Sequence, residues 1–113
     1  MKAFGLNKCS TCQKALAFLV GKKVKVVFTD FKENPPSKDQ VAGWSKALGG
    51  WEKLINRAGY TWRGLDPADT ANLTEARAVA LAVKHPSLIR RPLIEHSDGS
   101  VTVGFSKKIQ EIF

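Results

Sequence analysis

The feature that most constrains this chain is a Cys-x-x-Cys pair, Cys9 and Cys12, lodged between a short apolar run and a helical pattern. Lys2 to Leu6 is an apolar run closed by Asn7 and predicts a first strand. From Cys12 the apolar positions Cys12, Ala15, Leu16, Leu19 and Val20 fall at helical spacing. Gly21 stands where a helix-ending glycine belongs. Val24 to Phe28 is β-branched and apolar and predicts a second strand. Strand, helix and strand within about 30 residues make a βαβ unit, so the two strands are expected to be parallel.

That order puts Cys9 just before a helix and lets Ser10 to Cys12 open it. The first amides of a helix have no internal partner, and the helix dipole there favours negative charge. A thiolate at such a position is stabilised, and in similar motifs the cysteine pKa drops from about 8.5 to roughly 3.5–7.5. Cys9 is therefore the candidate nucleophile, with Lys8 and Lys14 adding positive field. Cys12 lies one turn further in, on the inner face, from where it can resolve a mixed disulfide. The plainer alternatives are an incidental loop thiol at Cys9 and a small core hydrophobe at Cys12.

Two cysteines in 113 residues are too few for a disulfide framework. In a reducing compartment such a pair is more often catalytic or metal-binding than structural. A tetrahedral zinc site needs about four ligands. Only His85 and His96 remain, far along the chain and not spaced as a ligand pair, so no metal is expected. The segment Met1 to Gly5 lacks the apolar stretch of a secretory signal, and no run approaches the roughly 20 apolar residues of a membrane span. The expectation is one domain over residues 1–113, in the cytoplasm, with no membrane partner. The net charge of +8 favours anionic partners. No helix-turn-helix, zinc-finger or aromatic RNA-binding signature accompanies it, so direct nucleic-acid binding is not expected.

Beyond the βαβ unit, Asn34-Pro35-Pro36 breaks the pattern. Ser37 and Gln40 match a capping box, with Val41, Trp44 and Leu48 along one face of the helix that follows and Gly49-Gly50 ending it. Trp51 to Asn56 suggests a short helix, and Arg57 to Asp66 reads as irregular. A helix is expected from Thr74 to Lys84 with Ala76, Val79, Ala80 and Val83 inward, stopped and capped at His85-Pro86. Leu93 to His96 and Val101 to Val103 form two strands around an Asp-Gly hairpin turn, and His96 is expected to face solvent. Ser106 to Phe113 predicts a last helix. The helical block at about 37–84 then reads as an insertion between a βαβ half and a ββα half of an α/β fold.

A second cluster is Arg90-Arg91-Pro92, where the chain enters a strand. An X-Pro bond at that place suits a cis proline beside a helix N-terminus. Arg91 would then be aimed at the pocket of Cys9, and a guanidinium binds carboxylates or tetrahedral oxyanions bidentately. The plainer alternative is a solvated pair of arginines before an edge strand.

Taken with Gly5 to Ala15, Glu33 to Ser37, Leu54 to Arg57, Ile89 to Leu93 and Gly104 to Ser106, these residues resemble the glutaredoxin-coupled arsenate reductase family, which includes YffB-like proteins and Spx regulators. The resemblance covers nearly the whole chain and implies a thioredoxin-like fold with an inserted helical subdomain. It implies Cys9 as the nucleophile, and Arg57 and Arg91 as oxyanion-binding arginines. Arsenate reductases carry a further arginine after the hairpin, where this chain has Gly104. A glycine there resembles YffB and Spx proteins. Thr61-Trp62-Arg63 resembles YffB, whereas Cys9-Ser10-Thr11-Cys12 resembles Spx. The expected functions are a thiol oxidoreductase linked to glutathione, glutaredoxin or thioredoxin, an Spx-like redox regulator binding an RNA polymerase subunit, or an arsenate reductase.

Overall fold

The computed structural model describes residues Met1–Phe113. The chain divides into two units, one formed by Met1–Asn34 with Arg91–Phe113 and the other by Pro35–Arg90.

The first unit is built on four strands: β1 (Lys2–Gly5), β2 (Val27–Asp30), β3 (Leu93–Glu95) and β4 (Val101–Val103). They lie in the order β2-β1-β3-β4. β1 and β2 are parallel, with Lys2 opposite Val27 and Gly5 opposite Asp30, and α1 (Ser10–Gly21) makes the crossover between them. β3 runs antiparallel to both β1 and β4. α1 buries Cys12, Ala15 and Leu19. Val20, expected inward, is 69% exposed, because it falls at the flank of that stripe rather than on it. Ala3, Phe4, Phe31, Leu93 and Ile94 complete the core, with the rings of Phe4 and Phe31 stacked 6.1 Å apart. α7 (Lys107–Gln110), capped by the Ser106 hydroxyl, is shorter than the pattern predicted.

Two boundaries near α1 differ from expectation. Gly21 is the last helical residue, and the left-handed turn falls on Lys23 at φ 58°. The second strand begins at Val27 rather than Val24, because Val24 donates its N–H to Leu19 O and so belongs to the turn. β-Branching marks a stretch that tolerates extension, while pairing to β1 decides which residues use it.

The second unit contains α2 (Lys38–Leu48), α3 (Trp51–Leu54), α4 (Tyr60–Arg63), α5 (Pro67–Thr70) and α6 (Glu75–Lys84), then one turn of 3-10 helix at Pro86–Leu88. Ser37 and Gln40 form the expected capping box, and Gly49, at φ 90°, ends α2. Val41 and Trp44 of α2 are buried. α4 falls within the stretch Arg57 to Asp66 expected to be irregular, and α5 follows it, started by the Asp66 side chain and Pro67. In α6 the buried residues are Ala78, Val79, Leu81 and Ala82; of the expected face only Val79 is buried, while Ala76 and Ala80 are exposed. The helix is alanine-rich, so its inner face is set by the larger residues Val79 and Leu81. The Glu75 carboxylate accepts from the Ser45 hydroxyl and, at 3.2 Å, from the Trp51 amide, joining α2, α3 and α6. No helix in either unit is long and apolar enough to cross a membrane.

Candidate active site

Cys9 lies where β1 hands over to α1. The chain leaves the sheet at Gly5, and the Cys9 N–H donates back to Leu6 O at 3.1 Å. Two side chains hold the intervening loop. Asp30 Oδ2 accepts from the Asn7 N–H at 2.8 Å, while its Oδ1 accepts from the Lys32 N–H at 2.6 Å. Gln13 Nε2 donates to Asn7 O at 2.9 Å. The amides of Asn7 and Lys32 hold the Asp30 carboxyl below the usual carboxylate range. Neither Asp30 nor Gln13 was among the predicted site residues. Asp30 was detectable only once β2 is known to end there: parallel strands finish on the same side, which brings its carboxylate to the end of β1.

Cys9 is the N-cap of α1, with extended backbone (φ −79°, ψ 121°) and no acidic residue in the first helical turn to compete for the free amides. Its sulfur makes no hydrogen bond that closes the cap. It nevertheless sits in their field. Partial burial alone would raise the Cys9 pKa; the Cys12 amide, the Cys12 thiol, the Arg91 charge and the Thr11 amide outweigh it and lower the pKa. Cys12 is the opposite case. Burial pushes it up to about 11, the Leu6 amide works against that rise, and the hydrogen bond and charge of Cys9 add to it. The structure thus pairs a half-buried thiol inclined to ionise with a buried one inclined to stay protonated, both free.

The predicted residues Cys9, Cys12, Arg91 and Pro92 all belong to the first unit, and Arg91 acts electrostatically on both sulfurs. Pro92 is buried and follows a cis peptide bond from Arg91. Its carbonyl accepts from the Gly104 N–H at 3.0 Å. Gly104 adopts φ 78° with open space where a Cβ would project. Arg57 belongs to the second unit, where its guanidinium stacks over the Trp51 ring at 5.3 Å. Arg63, in the same unit, covers the Tyr60 ring at 4.9 Å.

The histidines divide. His85 is the C-cap of α6, as predicted. His96 does not simply face solvent: its Nε2 lies 2.8 Å from Thr102 Oγ1 and its ring stacks on Phe113, 5.6 Å away. No three His, Cys, Asp or Glu side chains converge as a metal site would need.

Over residues 4–113 the chain matches the ArsC family. It is similar to a solved YffB protein, with 35% identity and a TM-score of 0.89, covering 98% of this chain and 96% of that one. An arsenate reductase related protein from Brucella melitensis, solved in solution, shares 31% identity with a TM-score of 0.78, over 99% of this chain and 92% of the other. The global transcriptional regulator Spx of Streptococcus pyogenes is 32% identical over 87 residues, or 76% of this chain, and the match spans only 64% of the regulator's own length.

Proposed function

The chain belongs to the ArsC family, and on that premise we propose that it is a thiol-disulfide oxidoreductase in which Cys9 is the nucleophilic thiolate and Cys12 the resolving thiol. The observation that carries this reading is the placement of two sulfurs in one helical turn: Cys9, partly accessible, at the N-cap of α1, and Cys12 buried inside the helix, an arrangement that favours the Cys9 thiolate and keeps Cys12 protonated. Cys9 thiolate attacks one sulfur of a disulfide substrate and expels the other half as a thiolate. The resulting mixed disulfide has two fates. Glutathione, glutaredoxin or thioredoxin can reduce it from outside, or Cys12 can lose its proton to solvent and attack the Cys9 sulfur, breaking the bond to the substrate half, which leaves as a thiolate, and closing an internal disulfide. Electrons return from the same thiol donors. Arg91 favours anionic sulfur at Cys9, and the same charge would favour an anionic substrate there. The compartment proposed is the reducing cytoplasm, where the resting pair stays as thiols.

A test is turnover of a glutathione mixed disulfide with glutathione, glutaredoxin or thioredoxin supplied in turn. Activity with at least one donor, abolished by Cys9→Ser, is expected. Absence of turnover with every donor removes the enzyme reading.

One observation favours a second reading. Similarity to an Spx regulator, together with two free cysteines in Cys9-x-x-Cys12, fits a redox switch whose oxidation changes binding to an RNA polymerase subunit. Retention of the polymerase α subunit by the protein, different before and after oxidation, would select it. Arsenate reduction is less well served, since Gly104 supplies no cation after the hairpin.

A further inference from the structure

We infer that Gly5 is a positioning residue for Cys12: the position is glycine because the Cys12 sulfur occupies the space that a side chain would take. The inference rests on the thiol-pair reading proposed above. A Cβ built on Gly5 would lie 2.5 Å from Cys12 Sγ, a separation carbon and sulfur do not adopt, but a normal 3.6 Å from Phe28 Cε2. The backbone does not ask for glycine here. Gly5 has no left-handed φ; it ends β1 opposite Asp30, and its carbonyl accepts from the Phe31 N–H at 2.8 Å. Sequence rules already treat an isolated glycine within a strand as a sign of close approach. The approaching group is the sulfur of a residue only 1% exposed, so it cannot move aside into solvent without leaving the core. The adjacent Leu6 amide acts on that sulfur too. The end of β1, and not α1 alone, therefore sets where the second sulfur stands.

Introducing a methyl at Gly5 forces Cys12 Sγ to retreat by about 0.9 Å to restore an ordinary 3.4 Å contact. A displacement of about 1 Å at a reacting group can cost on the order of 100-fold in rate. The test uses dithiobis-nitrobenzoate. Cys9 thiolate cleaves its disulfide and releases one coloured thiolate. Cys12, its proton lost to solvent, then attacks the Cys9 sulfur and releases the second, so two protein electrons reduce one disulfide. With Gly5→Ala the second release is expected to slow by about ten- to 100-fold relative to the first. An unchanged ratio of the two phases overturns the inference. If the unaltered protein releases only one thiolate, the resolving role of Cys12 fails instead, and thermal melts still decide about Gly5. Gly5→Ala is expected to lower the melting temperature when Cys12 is present, or to prevent folding, and to have much less effect in the Cys12→Ala background. Equal losses in both backgrounds contradict the inference.

Discussion

The two units of this protein are held together by different means. In Met1–Asn34 with Arg91–Phe113, a four-stranded ladder sets the geometry, and chemically active groups sit where strands end: Cys9 after β1, Asp30 at the end of β2, Arg91 and Pro92 before β3. In Pro35–Arg90 five helices are held by their termini: the Ser37–Gln40 box, the Asp66 and Thr74 caps, and Glu75 tying Ser45 to Trp51. The lesson is in what the caps do: Cys9 caps α1 without spending its side chain on a cap hydrogen bond, whereas Ser37, Asp66 and Thr74 use theirs up in structure. Substitutions in the first unit should therefore change thiol chemistry, and those in the second should cost stability and leave Cys9 titration where it was.

The largest expected effect is a gain. Gly104→Arg would add a cation in open space, and a charge-assisted hydrogen bond to an oxyanion is worth about 1.5–3 kcal/mol, or roughly ten- to 150-fold in rate. The positive φ of 78° works against it, by about 1–2 kcal/mol for a side chain in the left-handed region. Weak or absent arsenate reduction by the unaltered protein, raised in the variant, is the outcome to look for in a coupled assay with glutathione and glutaredoxin. Efficient reduction by the unaltered chain would mean another cation already fills the place.

Glu75→Ala comes next. It strands the fully buried Ser45 hydroxyl and the Trp51 amide, at a cost of about 1–3 kcal/mol by chemical denaturation. Cys9 labelling should keep its pH midpoint; a shifted midpoint would break the contrast between the units.

Asp30→Ala tests the other side. The Asp30 carboxyl has its pKa lowered in the fold, so its contribution to stability is present above the unfolded value of about 3.9 and fades as pH falls through the lower folded value. The variant should lose stability at neutral pH, show a flatter decline in acid, and label at Cys9 at an altered rate because the Asn7 amide is released. An unchanged Cys9 rate would show that the loop is held without it.

Ser37→Ala should cost about 1 kcal/mol through the lost cap of α2, with Cys9 chemistry untouched.

What the sequence made legible follows the same division. Local signals survived folding: the Ser37–Gln40 box, the cysteine at the start of α1, the Asp-Gly hairpin between β3 and β4 and the parallel β1–β2 pair all appear as expected. Whatever depends on register was harder to read. β2 starts three residues later than its β-branched run, and that shift alone hid Asp30 as the anchor of the Cys9 loop. The α6 face was misassigned because alanines fit either side of a helix, and α4 and α5 are single turns too short to leave a periodic signal. Gly5 carried a signal, an isolated glycine in a strand, but only the fold reveals that Cys12 is what approaches it.

The most direct test of the central claim is the alkylation rate of each cysteine against pH, followed by mass spectrometry of the two labelled sites. Cys9 should label faster at neutral pH, with a midpoint below that of an ordinary cysteine, and Arg91→Ala should move that midpoint upward. Cys12 should label slowly until about pH 11. Equal rates, faster labelling of Cys12, or a Cys9 midpoint indifferent to Arg91 would contradict the opposite tuning of the two sulfurs.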